Sequence, residues 1–260
     1  MAHSTAPEAD RSNLAVGLVS VALFLTVWQA AAVYAADSTV VPSPVEVARI
    51  FWGELISGRL WYHLSATLAR VLAAFVVAMS IGCAIGIAAG RSRSFDAWAN
   101  PWLIIMLNLP ALVTIVLCYL WIGLNEVAAV TAVAVNKIPM IAVMMREGAR
   151  ALDPALDDMA RVFRMNRLSA WQNVIVPQLA PYFAASARSG VALIWKIVLV
   201  VEFLGRSNGI GFQIHLYFQL FEVGYILAYA LSFVAVMLAV EYLLVQPWER
   251  SATRWRLNEG

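Results

Sequence analysis

"ARALDPALDDMARVFRMNRLSAWQNVIVPQLAPYF", Ala149 to Phe183, is a charged island in an apolar chain. Nine of the 22 residues from Arg146 to Arg167 are charged: Arg146, Glu147, Arg150, Asp153, Asp157, Asp158, Arg161, Arg164 and Arg167. The 260-residue chain as a whole is 62% hydrophobic and 13% charged, whereas a soluble domain carries roughly 25% charged residues. The island has its own helix signals. Asp153 is a favoured N-cap and Pro154 suits the first helical position. Asp157 and Asp158 then fall near the positive end of the helix dipole, and Asp157 is four residues from Arg161, within pairing distance on one face. Leu156, Met159, Ala160 and Phe163 follow helical spacing on the other face. A second start is expected at Ser169, where Gln172 completes a capping box, and Pro177 is expected to stop or bend that helix. The spacing therefore predicts two short helices separated by "RMNRL". They are too short for a domain and too well capped for a linker. Helices of this kind suit docking of a partner; simple coverage of the helix ends is the alternative.

Outward from the island the chain is oily, with a mean hydropathy of +0.76. Several apolar runs reach the ~20 residues that cross the hydrocarbon of a bilayer as a helix. They are unbroken rather than alternating, which points to helices and away from a barrel. Six spans are expected: Leu14–Ala36, Ser65–Ala89, Trp98–Ile122, Val127–Met145, Phe183–Phe203 and Val223–Val245. The first reads as a retained span, since its apolar core exceeds the usual signal-peptide length; cleavage after "AAVYAA" is the alternative. "RSR" (Arg91 to Arg93) ends the second span, and "GLNE" is a turn broken by Gly123 and Asn125. The domain limits are then a tail over 1–13, a membrane domain over 14–245 and a basic tail over 246–260. Within the membrane domain an amphipathic segment covers about 37–64 and the charged loop about 146–181.

Arginine asymmetry orients the spans. With the amino terminus inside, the inner loops hold Arg11, Arg91, Arg93, Arg146, Arg150, Arg161, Arg164, Arg167, Arg250, Arg254 and Arg256, and the outer loops hold only Arg49, Arg59 and Arg206. Both termini and the charged island are therefore expected in the cytoplasm. On the outer side, Ser43-Pro44 followed by Val47, Ile50, Phe51 and Leu55 signals an amphipathic helix. That helix either lies in the interface with Trp52, Trp61 and Tyr62 at headgroup depth or packs over the span ends.

"DDMARVFRMNRLSAWQNVIVPQLAPY" resembles the cytoplasmic loop of binding-protein-dependent ABC importer permeases. That loop reads Glu-Ala-Ala, three residues, Gly, nine residues, Ile, any residue, Leu-Pro. Asp158, Met159 and Ala160 stand at the triplet, Arg164 at the Gly, Val174 at the Ile and Val176-Pro177 at Leu-Pro. "VPSPVEV", "HLSATLARVLAAFVVAMSIGCAIGIAAGRSRSFDAWANPWL", "LWIGLNE", "EGARALDPAL" and "VEFLGRSNGIGFQI" are similar, in order and spacing, to the nitrate/sulfonate/taurine branch. The resemblance implies an all-α, polytopic fold: six transmembrane helices in the type I ABC importer transmembrane-domain arrangement, with a cytoplasmic coupling helix. It implies a bacterial inner-membrane protein that forms half of a translocation pathway for a small anion. It also implies that Asp158, Ala160, Arg161, Phe163, Arg164, Met165 and Asn166 contact a cytoplasmic ATPase. The expected partners are two ATP-binding subunits, a second permease copy (the same chain or a relative), an external solute-binding protein and the bilayer. Arg164 departs from the family Gly, which permits φ > 0 more readily; either the turn differs, or Arg164 makes a partner-specific contact.

The chain has no Walker A sequence, because neither Lys137 nor Lys196 follows Gly. ATP and Mg therefore belong to partner subunits, and the chain is expected to be neither an enzyme nor a cofactor binder. Cys83 and Cys118 lie in apolar runs, and His3, His63 and His215 lack ligand spacing, so no metal site is expected. A net charge of +2 is too small to suggest nucleic acid. The expected pathway candidates are Asn108, Pro110, Lys137, Trp195, Lys196 and Glu202. Charges inside spans are costly and face a cavity or a partner, which singles out Arg70, Lys137, Lys196, Glu202 and Glu241. A lysine on the route would compensate a bare anion; an interhelical ion pair of Lys196 or Lys137 with Glu202 or Glu241 is the alternative. Pro110 would kink the third span, either to line a gate or for packing. "GRSNGIGF" is expected to be a flexible outer loop. A self-sufficient secondary transporter or channel, which calls for broken spans and inverted repeats, is the competing function. A membrane scaffold is the third.

Overall fold

A computed structural model describes residues 6–35, 37–245 and 247. The basic tail over 246–260, with Arg250, Arg254 and Arg256, lies outside the described residues apart from Pro247. Among the described residues eleven α-helices follow one another: α1 (Ala6–Ala35), α2 (Pro44–Ile56), α3 (Arg59–Arg91), α4 (Arg93–Asn108), α5 (Ala111–Ile122), α6 (Glu126–Arg150), α7 (Pro154–Val162), α8 (Arg167–Ala170), α9 (Val176–Gly205), α10 (Ile210–Gln219) and α11 (Val223–Val240). Wider π-turns cover Trp171–Ile175 and Glu241–Val245, and no strand occurs among the described residues. The expected tail over 1–13 is already helical from Ala6 and runs into α1.

Among the described residues, four helical stretches are long and apolar enough to cross a membrane: Val16–Ala35, Arg59–Arg91, Glu126–Arg150 and Val223–Leu243. A fifth results if α4 and α5 form one span, but they meet at 99°. The expected kink in Trp98–Ile122 is thus a full break. Leu109 takes an extended conformation, as a residue before proline prefers, and Pro110 caps α5. The fifth expected span, Phe183–Phe203, lies within the 30 residues of α9, which also carries Arg188, Lys196 and Glu202.

The chain divides into two compact units. The smaller joins the segment up to Trp61 with Ile214–Ser232. In it Ser43 caps α2 by accepting the Glu46 N–H at 3.2 Å, and Pro44 opens the helix. Val47 and Glu54 turn inward, while Trp52 and Trp61 stay exposed. Glu54 is buried, yet it accepts from the Tyr229 hydroxyl and from Arg59, both at 2.6 Å. A Cβ on Gly224 would come within 2.8 Å of Ile50, so α2 lies directly on the start of α11. The smaller unit therefore realises the expected packing of the amphipathic helix over span ends.

The larger unit comprises Tyr62–Gln213 and the segment from Phe233 onward. Its core joins Val71, Ala74 and Ala78 of α3, Ile115 of α5, Ala132, Val133 and Ile141 of α6, and Ile194 and Val198 of α9. Gly82, Gly86 and Gly90 recur every four residues on α3 and face α6. A Cβ on Gly86 would lie 2.7 Å from that of Met145, and one on Gly90 2.5 Å from that of Ala149. Small residues let two helix backbones approach this closely, which is how helices associate inside lipid.

Candidate functional site

The charged island folds as one short helix, α7, followed by a second helical start that runs on into α9 rather than forming a short helix of its own. Asp153 caps α7, its carboxylate accepting the Ala155 N–H at 2.8 Å, and Pro154 is its first residue. The end of α7 is a left-handed turn. The Met165 N–H donates to Ala160 O and the Arg164 N–H to Arg161 O, both at 3.0 Å. These two bonds form a Schellman cap, in which the residue usually occupied by glycine takes the left-handed conformation. Here it is Arg164, with φ of 50°. The substitution of Arg for Gly therefore leaves the turn intact, at a backbone cost of about 1–2 kcal/mol.

Three expectations for the island change. The second helix starts at Arg167 rather than Ser169: Asn166 is its cap and accepts the Ser169 N–H at 2.7 Å. Pro177 does not stop it. The π-turn over Trp171–Ile175 widens the backbone just ahead of Pro177, and Val176 N–H bonds back to Trp171 O. A wider turn gives the proline ring the room that a regular α-turn denies it, so the helical path continues into α9. Arg161 pairs with Asp158 at 3.1 Å, whereas Asp157 faces Arg91 of α3 at 3.9 Å.

Exposure sorts the island into two sides. Val162 is 79% and Phe163 74% exposed, and Leu168, Arg161, Arg164 and Asn166 are exposed beside them. Met165 is half-buried, and Ala160 lies behind this surface at 7% exposure. The other side is tied to the body of the unit. Arg146 donates to Asp96 at 3.1 Å and Asn100 at 2.7 Å, and Arg150 reaches Asp96 at 2.6 Å, joining the end of α6 to the start of α4. Several of the island's charges thus hold the fold, and the arginines beyond Asp158 face outward.

At the other end of α9 lies a buried polar cluster. All five guanidinium N–H groups of Arg70 on α3 have acceptors. Nε and Nη2 grip the two Glu126 oxygens at 2.7 Å each, Nη1 reaches Glu202 at 2.6 Å and Asn208 O at 3.0 Å, and Nη2 also donates to the Asn208 side chain. Glu202 is fully buried and further accepts from the Thr67 hydroxyl and the Gly211 N–H, both at 2.9 Å. Thr67 in turn accepts the Ile210 N–H at 2.8 Å, and His63 Nδ1 accepts that of Gly209 at 3.1 Å. Arg206 reaches Leu124 O at 3.0 Å and Glu126. "GRSNGIGF" is therefore pinned rather than flexible, and α10 begins within it at Ile210. Its glycines have a steric reason. Gly209 has φ of 110°, and a Cβ on Gly211 would lie 2.7 Å from that of Glu202. Only residues without a side chain let the loop backbone rest on the carboxylate.

The pathway candidates do not converge. Glu202 is enclosed in this cluster; its partner is Arg70, not a lysine. Asn108 is exposed and donates to Ile104 O of its own helix at 2.8 Å, next to the break at Pro110. Lys137 is half-buried on α6. Lys196 is exposed on α9, with Nζ 5.5 Å from the Trp195 ring centroid, and Trp195 meets Phe233 edge-on at 5.5 Å. Neither lysine has a carboxylate partner among the described residues. The residues that sequence reasoning passed over are Glu126, Asn208, Thr67, Asp96 and Asn100. Arg70 and Glu202 did carry a signal, being charges within apolar helices, but nothing in the sequence pairs residues so far apart.

Among the described residues, helices long and apolar enough to cross a membrane accompany an exposed, capped basic helix, the features of a helical membrane protein. The profile of the family described as "Binding-protein-dependent transport system inner membrane component" matches residues 80–246, and the chain belongs to this family of ABC importer permeases. It is 27% identical over 251 residues to the putative aliphatic sulfonates transport permease protein SsuC of Bacillus subtilis (strain 168), covering 96% of this chain and 91% of the relative. It is 30% identical over 246 residues to the riboflavin transport system permease protein RibX of Chloroflexus aurantiacus, covering 94% of this chain and 91% of that one. In fold it matches a chain from a crystal structure of an amino acid ABC transporter with histidines. The TM-score is 0.60, with 22% identity and coverage of 80% of this chain and 96% of the other.

Proposed function

We propose that this chain is one half of the translocation unit of an ATP-driven importer, and that α7 and α8 dock it to a cytoplasmic ATPase subunit. The observation that carries this reading is the outward side of the helix pair. Val162 and Phe163 expose apolar surface in a setting of Arg161, Arg164 and Arg167, on a helix whose cap and turn are fully hydrogen-bonded. A rigid apolar anchor flanked by cations suits a groove that offers an apolar pocket and carboxylates. Asp158, Met165 and Asn166 border the same surface, and Ala160 supports it from behind. Two such chains, two ATP-binding subunits that hold ATP and Mg, and an external solute-binding protein complete the assembly, in line with two-fold pairing of subunits.

In this reading α9 supplies the fifth span in chain order and brings the total to six, both termini are cytoplasmic, and the pinned "GRSNGIGF" loop lies outside. The pathway candidates then divide. Glu202 holds the fold, Asn108 and Pro110 mark the break in the third span, and Lys196, exposed beside Trp195 and without a carboxylate, is the cation available to an anion. The aliphatic sulfonate relative supports an anionic solute, and the riboflavin relative supplies the contrast. The broken span at Leu109 is a feature shared with the secondary-transporter alternative; family membership supports the importer reading over it.

The test is reconstitution of this chain with its ATPase subunit and binding protein. ATP-dependent uptake of an alkanesulfonate that is lost in Lys196→Gln, with the ATPase still bound, supports the reading. Uptake by the chain alone on an ion gradient, without ATP, overturns it.

A further inference from the structure

We propose that Gln178 is a positioning residue that makes the start of α9 move with α7. The inference rests on the reading of α7 and α8 as the docking surface and says how a displacement there reaches the membrane. Three elements meet at this side chain. Its Oε1 accepts the backbone N–H of Asp153 at 2.9 Å. Asp153 is the cap of α7, so its backbone position sets where α7 begins. The Gln178 Nε2 donates to Val174 O at 3.0 Å. Val174 belongs to the π-turn between α8 and α9, and Gln178 itself is the third residue of α9.

Without such a bridge, this is where the chain should bend. A π-turn is a wider, less regular turn, and Pro177 beside it brings no N–H to the ladder. A hinge at that point would absorb a movement of the docked helices before it reached α9. The other tie from α7 to a long helix is the 3.9 Å contact of Asp157 with Arg91, which is long for an ion pair. Gln178 instead makes two hydrogen bonds of ordinary length, one on each side of the joint. α9 runs unbroken from Val176 to Gly205, with Pro181 inside it, so a displacement of its first turn is passed along the helix toward Lys196 and Glu202.

The test uses the full chain purified with its ATPase subunit, and hydrogen–deuterium exchange with and without ATP and vanadate. In the parent protein, nucleotide is expected to change exchange in two peptides, one over α7 and one over the first turns of α9. In Gln178→Leu the change over α7 should remain, the ATPase should still co-purify, and the change over α9 should be lost. Gln178→Glu keeps the acceptor for the Asp153 N–H but loses the donor to Val174 O, and should restore the α9 change in part. The inference is overturned if Gln178→Leu leaves the α9 response intact. It is equally overturned if both responses fall together with loss of the ATPase, since that is a structural role only. A parent chain that never carries an ATPase subunit overturns the docking reading itself, and the inference with it.

Discussion

Removing the Glu202 carboxylate should destabilise the larger unit more than any surface change. In Glu202→Ala two donors lose their acceptor at once, an N–H of Arg70 Nη1 and the Gly211 N–H, at 2.6 and 2.9 Å in the native protein, while the Thr67 hydroxyl turns to His63 O at 3.2 Å. The site is fully buried, so bulk solvent does not reach the donors left behind. Each orphaned buried donor costs about 1–3 kcal/mol, and breaking a buried ion pair by deleting one partner costs about 3–5 kcal/mol. Arg70 keeps its bidentate grip on Glu126, so we take the lower part of the combined range, about 3–5 kcal/mol. For a chain of this size about 1 kcal/mol moves the melting point by about 2–4 °C, which makes the expected fall about 10 °C. The protein carries its own probe: Cys83 is half-buried and Cys118 buried. Both should become reactive to a thiol-dependent fluorophore as the detergent-solubilised protein unfolds. A double variant, Arg70→Met with Glu202→Leu, removes the buried pair together and should recover the part of the loss that comes from leaving the Arg70 charge unpaired, while the Gly211 N–H stays without its acceptor. A fall below about 1 kcal/mol in Glu202→Ala, or a double variant worse than the single, would refute the reasoning.

The remaining predictions are smaller. Arg164→Gly should keep the α7 cap and slow amide exchange over 159–166, whereas Arg164→Ile, β-branched in a left-handed turn, should speed it. Gly211→Ala puts a Cβ 2.7 Å from that of Glu202 and should cost about 1–3 kcal/mol as overpacking, read by the same thiol assay. Asp96→Ala removes the acceptor shared by Arg146 and Arg150 and should lower the melting point without changing the exposed side of α7; limited proteolysis after Arg161 and Arg164 separates the two effects.

What was legible in the sequence was local. Asp153-Pro154, Ser43-Pro44 and Gly123 with Asn125 each act on their own backbone within a few residues, and each marks a helix boundary in the structure. Long apolar runs are likewise self-contained, because a helix in lipid satisfies its own hydrogen bonds. What was not legible depended on distance in space. Pro177 reads as a stop, but the π-turn ahead of it makes room for the ring. Glu202 reads as a span-end residue or as a partner for a lysine on another helix; it does stand near the end of α9, but the topology brings Arg70 to it. The Gly spacing at Gly209 and Gly211 reads as loop flexibility until the carboxylate beneath the loop is seen. Arg164 is the middle case: its departure from glycine was visible in the sequence, and its left-handed φ was not.

The central claim is that the outward side of α7 is the seat of an ATPase subunit. The most direct measurement is recovery of that subunit with the affinity-purified chain when Phe163→Ala and Arg161→Glu are combined. Phe163 is 74% exposed and Arg161 pairs only with the exposed Asp158, so the fold should be unchanged by thermal melting. Truncating an exposed anchor at the centre of an interface costs about 2 kcal/mol or more, enough to strip the partner. The account predicts a folded chain that loses its ATPase and its ATP-dependent uptake together. A folded double variant that retains both would contradict it.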